Sequence, residues 1–424
     1  MPRALPTAIL FTALGLCLSA CFTPTAVAVP PESSAPLVDL LCQQQQPCQI
    51  QRIHDAGRDP QGHALQVVEV GLHGQADGGY ARPLWDEDHP DQAECYTNVY
   101  WRVTHSDPPQ ATRILELCND GYGASGIGED FLEVSPNRLR HTQVGGSAHR
   151  WVNVTEWELA PLRVVAFSTS AYTTWNPDAS TDLAWSWESF AGFGSRNLPP
   201  CLEGGQPADG PIHSFRHSLI PQLPALPGGA DWRQVALGRC AAHVDSSGNS
   251  GFVTHGSPGA ADDATLSVLR VGPRTLLAEI SDDHISRGAA KWLHDDHLEL
   301  WLAPKDAMLY ADCFPPKATG LYQWGIMLDG QVHTAHGKAP FTPTVEVHQI
   351  DAQRYRLRIE VPSDFDALSL VYSDSDDGQR QKRLIATSAV DFGEAYSLGT
   401  VFSITDDSPV SCAVVDGALV PTWR

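Results

Sequence analysis

The chain has little methionine, 3 in 424 residues, and little positive charge, 28 Lys+Arg against 50 Asp+Glu. The formal net charge of -22 repels phosphate. That excludes nucleic acid as a partner and electrostatic adsorption to anionic lipid. Beyond residue 20 no segment reaches the ~18 unbroken apolar residues that a spanning helix needs. No Cys-x-x-Cys occurs, so the cysteines do not read as a zinc site. Long amphipathic helical patterns are missing too. Glycine (35) and proline (32) are plentiful instead, and they favour short strands joined by turns. With 42% hydrophobic residues the chain can bury a core, and its length suits two or three domains.

The N-terminus carries an address. Met1-Pro2-Arg3 is a short basic start, and residues 4–20 are largely apolar without an acid, as in a secretory signal peptide spanning 1–20. The segment ends in Leu18-Ser19-Ala20-Cys21, which is similar to a bacterial lipobox. That similarity implies cleavage before Cys21 and lipidation of its thiol and amine. Phe22 follows, not the Asp that commonly retains such proteins at the inner membrane. The expected location is therefore the outer membrane, facing the periplasm or the surface, with a lipid anchor as the sole membrane contact. Cleavage after Ala26-Val27-Ala28 is the alternative and gives a secreted chain.

Eight cysteines remain: Cys42, Cys48, Cys95, Cys118, Cys201, Cys240, Cys313 and Cys412. An even set in an exported protein reads as disulfides, whose pairing a sequence cannot choose. Neighbour pairing is the simplest expectation: 42–48, 95–118, 201–240 and 313–412.

Residues 21–41, with Pro24, Pro30, Pro31 and Pro36, read as a flexible tether. Residues 42–200 carry β-rich runs, among them 65–70, 98–103, 113–117 and 163–167, separated by turn residues; they form an N-terminal β-rich domain. Residues 201–230 hold many prolines and two Gly-Gly pairs and read as a linker in which few elements survive. In residues 231–424 alternation is clear. Arg354-Tyr355-Arg356-Leu357-Arg358-Ile359-Glu360-Val361 switches between charged and apolar side chains at period two, so one face is core and one is solvent. The fold class is all-β, with two β-rich domains and an antiparallel β-sandwich as the C-terminal one.

Gly121-Tyr122-Gly123-Ala124-Ser125-Gly126 matches the GxGxxG of dinucleotide-binding loops. Glu129-Asp130 and Pro136 follow it, where a phosphate-binding helix would have to start, so a glycine-rich hairpin loop fits better. No cofactor is expected. The one alternative is Ca²⁺ on Asp120, Glu129 and Asp130, which supply oxygen ligands without EF-hand spacing. Asp282-Asp283-His284 and Asp295-Asp296-His297 are two acidic clusters flanking strand-like runs. They are either solvated turns or groups converging at one end of a sheet. Trp292, Trp301 and Trp324 are either core residues or platforms for the C–H face of a sugar ring. On the strand 298–302 the leucines share one face, while Glu299 and Trp301 take the other.

Residues 275–302 run as a strand, then Ser-Asp-Asp-His, then Lys291-Trp292-Leu293-His294-Asp295-Asp296-His297-Leu298-Glu299-Leu300-Trp301-Leu302. This resembles family 9 carbohydrate-binding modules, where an acidic turn leads to a Trp, an Asp and a hydrophobic-Glu-hydrophobic strand. Val371-Tyr372-Ser373-Asp374-Ser375-Asp376-Asp377-Gly378 is similar to the Asp-rich segment near their C-terminus. The resemblance spans about 231–424. It implies a β-sandwich that binds sugar between Trp side chains, with Asp283, Trp292, Asp296 and Glu299 on the matching positions; it does not fix the second Trp, for which Trp324 is the candidate. The first half resembles only uncharacterised exported bacterial proteins.

The expected function is that of an exported, lipid-anchored carbohydrate-binding protein without its own catalytic domain, whose partner is a polysaccharide or oligosaccharide. The alternatives are a glycan-acting hydrolase using carboxylates such as Asp283 and Asp296, and a structural envelope lipoprotein.

Overall fold

A computed structural model describes residues 35–42, 49–71, 96–119, 127–202, 207–303, 313, 321–338, 340–363, 365, 367–389 and 397–424. The expected cation ligand Asp120, the loop 121–126, and Cys21, Cys48 and Cys95 lie outside the described residues, as do the side chains of Cys118, Glu129 and Asp130.

Antiparallel strands dominate, as the turn-rich composition requires. The first sheet runs β1 (Gln49–Arg58), β2 (Ala64–Gly71), β3 (Tyr96–Thr104) and β4 (Gln110–Asn119). The second is a seven-stranded meander of β5 (Ile127–Ser135), β6 (Arg138–Gly146), β7 (His149–Leu159), β8 (Leu162–Thr173), β9 (Asn176–Ser186), β10 (Ala191–Leu198) and β11 (His213–Ser218). Their facing sides bury Leu65, Val67 and Tyr100 against Leu139, Trp157 and Leu159. A two-turn helix, α1 (Ala35–Leu41), covers the other side of the first sheet. Part of the expected tether is thus ordered, because Leu37, Leu40 and Leu41 form one apolar stripe that packs on Val68, Val70 and Val103.

The C-terminal half is the expected sandwich. Its third sheet contains β12 (Ile220–Leu223), β13 (Ala242–Asp245), β15 (Ala264–Val271), β16 (Thr275–Asp282), β20 (Thr344–Gln349), β21 (Arg354–Glu360) and β24 (Val401–Ser403). Its fourth contains β14 (Phe252–His255), β17 (His297–Ala303), β18 (Tyr322–Met327), β19 (Val332–His336), β22 (Ala367–Asp374) and β23 (Arg383–Ala386). The period-two pattern of β21 sends Tyr355, Leu357 and Ile359 inward, where they meet Leu298, Leu300 and Leu302 of β17 and Leu368, Leu370 and Tyr372 of β22. A hairpin of β25 (Val410–Val415) and β26 (Ala418–Trp423) closes the chain.

Two strands, β11 and β12, form inside the proline-rich 201–230 segment. The run His213-Ser-Phe-Arg-His-Ser218 contains no proline, so β11 completes the ladder with β10. The two halves also share a core. Trp185, Trp187 and Phe190 pack with Leu223, Leu237, Leu269 and Leu277, and Trp185 stacks on Phe402 at 4.2 Å.

Two of the expected cysteine pairs, 201–240 and 313–412, are not formed, while 42–48 and 95–118 involve cysteines outside the described residues. Cys201 bonds Cys313 and Cys240 bonds Cys412, across separations of 112 and 172 residues. The reason is the fold: Cys240 and Cys412 meet in the shared core, far apart in sequence but adjacent in space. Each of these bridges is worth up to about 5 kcal/mol in the chain-entropy picture.

Candidate functional site

Strand β17 is buried along its whole length, on both faces. Its inward leucines fill the sandwich. Its outward residues His297, Glu299 and Trp301 lie under the neighbouring structure, and Trp301 joins a second cluster with Val371, Leu384, Ala386 and Leu398. The parity read from the sequence is correct, but Trp301 is not a surface residue.

On that outward face Glu299 of β17 pairs with Gly325 of β18, which pairs with His333 of β19. Trp292, in a short 3₁₀ turn (Trp292–His294), folds over this row. A side chain at position 325 would meet the benzo edge of Trp292 at 2.2 Å, so the glycine makes the seat. The indole lies parallel to the His333 ring at 5.0 Å and edge-on to His297 at 5.1 Å. It stays half-buried. Beneath, Glu299 accepts hydrogen bonds from Trp301 Nε1 at 3.0 Å and Gln323 Nε2 at 2.9 Å. His297 Nδ1 donates to the Asp295 carbonyl at 2.7 Å, and its Nε2 stands 3.6 Å from Glu299 Oε1. Burial pushes the Glu299 carboxyl up, but the His297 imidazole and the two donors outweigh it and hold the group below the usual range.

A second cluster sits where β16 ends and β17 begins. Asp282, Asp296 and Asp374 each place a carboxylate oxygen within 4.8 Å of the others, and Asp283 and Asp376 adjoin through Asp282. Asp282 accepts from Tyr372 Oη at 2.7 Å and from the His284 amide. Asp296 accepts from the amides of Ser286 at 2.5 Å and Ser375 at 2.6 Å. Asp374 is 1% exposed, and its Oδ2 takes Arg383 while its Oδ1 has no hydrogen-bond partner. Burial is the leading cause that raises all three, to about 6 for Asp282, about 8 for Asp296 and about 7 for Asp374, and repulsion from neighbouring carboxylates, Asp283 and Asp376 among them, adds to it. Three crowded carboxylates with an orphaned oxygen fit a hard divalent cation such as Ca²⁺, which prefers oxygen ligands of this kind. A cation there would neutralise the repulsion.

The five expected sugar-binding residues therefore separate into three places. Trp292 and Glu299 share the outward patch. Asp283 is exposed at the rim of the acidic cluster and Asp296 is buried within it. Trp324, on the opposite face of β18, is 1% exposed and packs in the sandwich core beside Phe341. Parity separates Trp324 from Gly325, and neither residue type revealed the register. Sequence reasoning missed His333, Gln323 and Gly325, whose only signal is the cross-strand register. It also missed Asp374 as a partner of Asp282, although it singled out the segment that contains it.

No protein-family model matches the chain, and no curated protein matches it. Among solved structures the chain is similar to a carbohydrate binding module family 9 (CBM9) from Caldicellulosiruptor kristjanssonii in complex with glucose. The identity is 13% and the TM-score 0.29, over 44% of this chain and 98% of that one. A CBM9 from the same organism in complex with cellotriose matches at 15% identity and TM-score 0.30, over 46% and 97%.

Proposed function

We propose that the protein is an exported, lipid-anchored carbohydrate-binding protein that holds a polysaccharide or oligosaccharide against Trp292. The observation that carries this reading is the seating of Trp292. An indole wedged by Gly325 and His333 is half open to solvent yet fixed in place, so stacking a sugar ring on it costs little conformational entropy. Half-buried Gln323 at its foot, whose Nε2 is held by the buried Glu299, offers an amide oxygen of the kind that sugar hydroxyls need. A divalent cation in the Asp282–Asp296–Asp374 cluster would brace the turn that carries Trp292, because Asp295 and Asp296 directly follow that turn.

The hydrolase alternative asks Asp283 and Asp296 to face one cleft. Asp296 is 1% exposed, with one backbone amide on each oxygen, and a general acid needs access to the scissile bond. That arrangement does not favour it.

Affinity electrophoresis through gels containing neutral polysaccharides tests the binding reading. The parent is expected to be retarded, and Trp292→Ala to be retarded less. Equal retardation of the two proteins would rule the patch out. The anchor rests on the lipobox resemblance, and labelling with radioactive palmitate checks it: incorporation is expected in the parent and is lost in Cys21→Ser.

A further inference from the structure

On the meander of β5–β11, side chains of β7 to β10 line a trough. Two rows of paired residues cross it. Val154, Ser168, Ala184 and Phe193 make one row, and Glu156, Ala166, Ser186 and Ala191 the other. Small side chains fill the middle of both rows, so the floor lies low between Val154 and Phe193. The trough holds a cavity of about 370 Å³. A second cavity of about 480 Å³ continues from it and reaches the C-terminal half at Arg239, His243, Asn249 and Ser250. Ser189, Ala191, Gly192 and Phe193 line both. Phe193, 43% exposed, stands at the junction, although the next aromatics along the chain, Trp185, Trp187 and Phe190, are all buried.

The polar groups around the ring define what fits. The side chains of Ser168, Ser189, Asn249 and Ser250 make no hydrogen bond within the described residues. The one charged side chain lining the first cavity is Glu156, 3.9 Å from Arg140; the exposed Arg239 of the second cavity donates to the Glu188 carbonyl at 2.9 Å and keeps its charge. In the first cavity an anionic chain meets Glu156 and no lining cation, and an acyl chain would strand the hydroxyls and the amide. A neutral polyhydroxylated chain satisfies both sets of groups.

We infer that this cleft, spanning the two halves, is a second binding site for a neutral oligosaccharide, with Phe193 stacking on a sugar ring and the free hydroxyl and amide side chains bonding its hydroxyls. It shares no residue with the Trp292 patch, so the two sites stand or fall separately.

The test uses the full chain and isothermal titration with cellohexaose, xylohexaose, laminarihexaose and maltohexaose. In a Trp292→Ala background, at least one of these oligosaccharides is expected to bind. Phe193→Ala then weakens binding about fivefold, and Ala191→Trp, which fills the cleft from an exposed position, abolishes it. Both substitutions are at exposed side chains, and unchanged melting temperatures confirm folding. Absence of binding in the Trp292→Ala background, or binding that neither cleft variant alters, overturns the inference. Loss of binding on Trp292→Ala alone would support the patch and remove the cleft.

Discussion

The indole of Trp292 and the imidazole of His333 lie 7° from parallel with their centroids 5.0 Å apart. The pair exists because Gly325, between them on β18, has no side chain. Gly325→Val should therefore expel Trp292 from its seat without removing it. Glycan retention is expected to fall as far as in Trp292→Ala, and the tryptophan fluorescence to shift toward that of exposed indole. Full retention in Gly325→Val would mean that the seating is irrelevant to binding.

The acidic cluster predicts a calcium response. At about a hundred times its dissociation constant, a ligand of the folded state adds about 3 kcal/mol, which raises the melting temperature by about 5–10 °C for a domain of this size. The pH sign follows from the raised carboxyls. The folded protein binds more protons than the unfolded chain between about pH 4 and pH 8, so metal-free stability falls as pH rises through that window. Calcium should reverse that fall. Asp374→Asn should stabilise the metal-free protein at pH 8 and blunt the calcium effect. Thermal melts that calcium leaves unchanged would refute the cation reading.

His217 predicts the opposite pH trend. Burial first, and the Arg196 charge second, depress its imidazole to about 3. The folded state thus refuses a proton that the unfolded chain accepts near the ordinary value of 6.5. The stabilisation is present above about pH 6.5 and is lost as pH falls toward 3, by up to about 5 kcal/mol. The imidazole fills the space over Gly194 and bonds Thr400 Oγ1 at 3.2 Å. His217→Gln should flatten the acid limb of a denaturation curve measured between pH 3 and pH 7. An identical acid limb in both proteins would contradict this.

The long-range disulfides predict a large effect of reduction. Each closes a loop of more than a hundred residues, so removing one costs up to about 5 kcal/mol. Cys240→Ala/Cys412→Ala should be the more damaging pair, because both cysteines lie in the core shared by the two halves. Chemical denaturation of the two double variants checks the order. Greater damage from the 201–313 pair would contradict it.

Alternation made the sandwich legible in the sequence. In β21 and β17 every second residue is apolar, and those residues are the core. The two acidic clusters at the ends of β16 and β17 were legible as a pair, since both flank strand-like runs. What could not be read was anything that depends on which strands are neighbours. Trp324 and Gly325 are adjacent in sequence and lie on opposite faces, and only the register with Glu299 and His333 says which faces outward. The cysteine pairing failed for the same reason: Cys240 and Cys412 meet through packing of elements that the chain visits far apart. Proline density misled at β11, because the prolines bracket a six-residue run without interrupting it.

The most direct test of sugar binding is an indole ¹H–¹⁵N spectrum of the protein, which carries 12 tryptophans, titrated with a neutral oligosaccharide that the parent retains. The indole resonance of Trp292, assigned by its absence in Trp292→Phe, is expected to move progressively to saturation while that of Trp324 in the core stays fixed. A saturating sugar that leaves the Trp292 resonance in place would contradict the account.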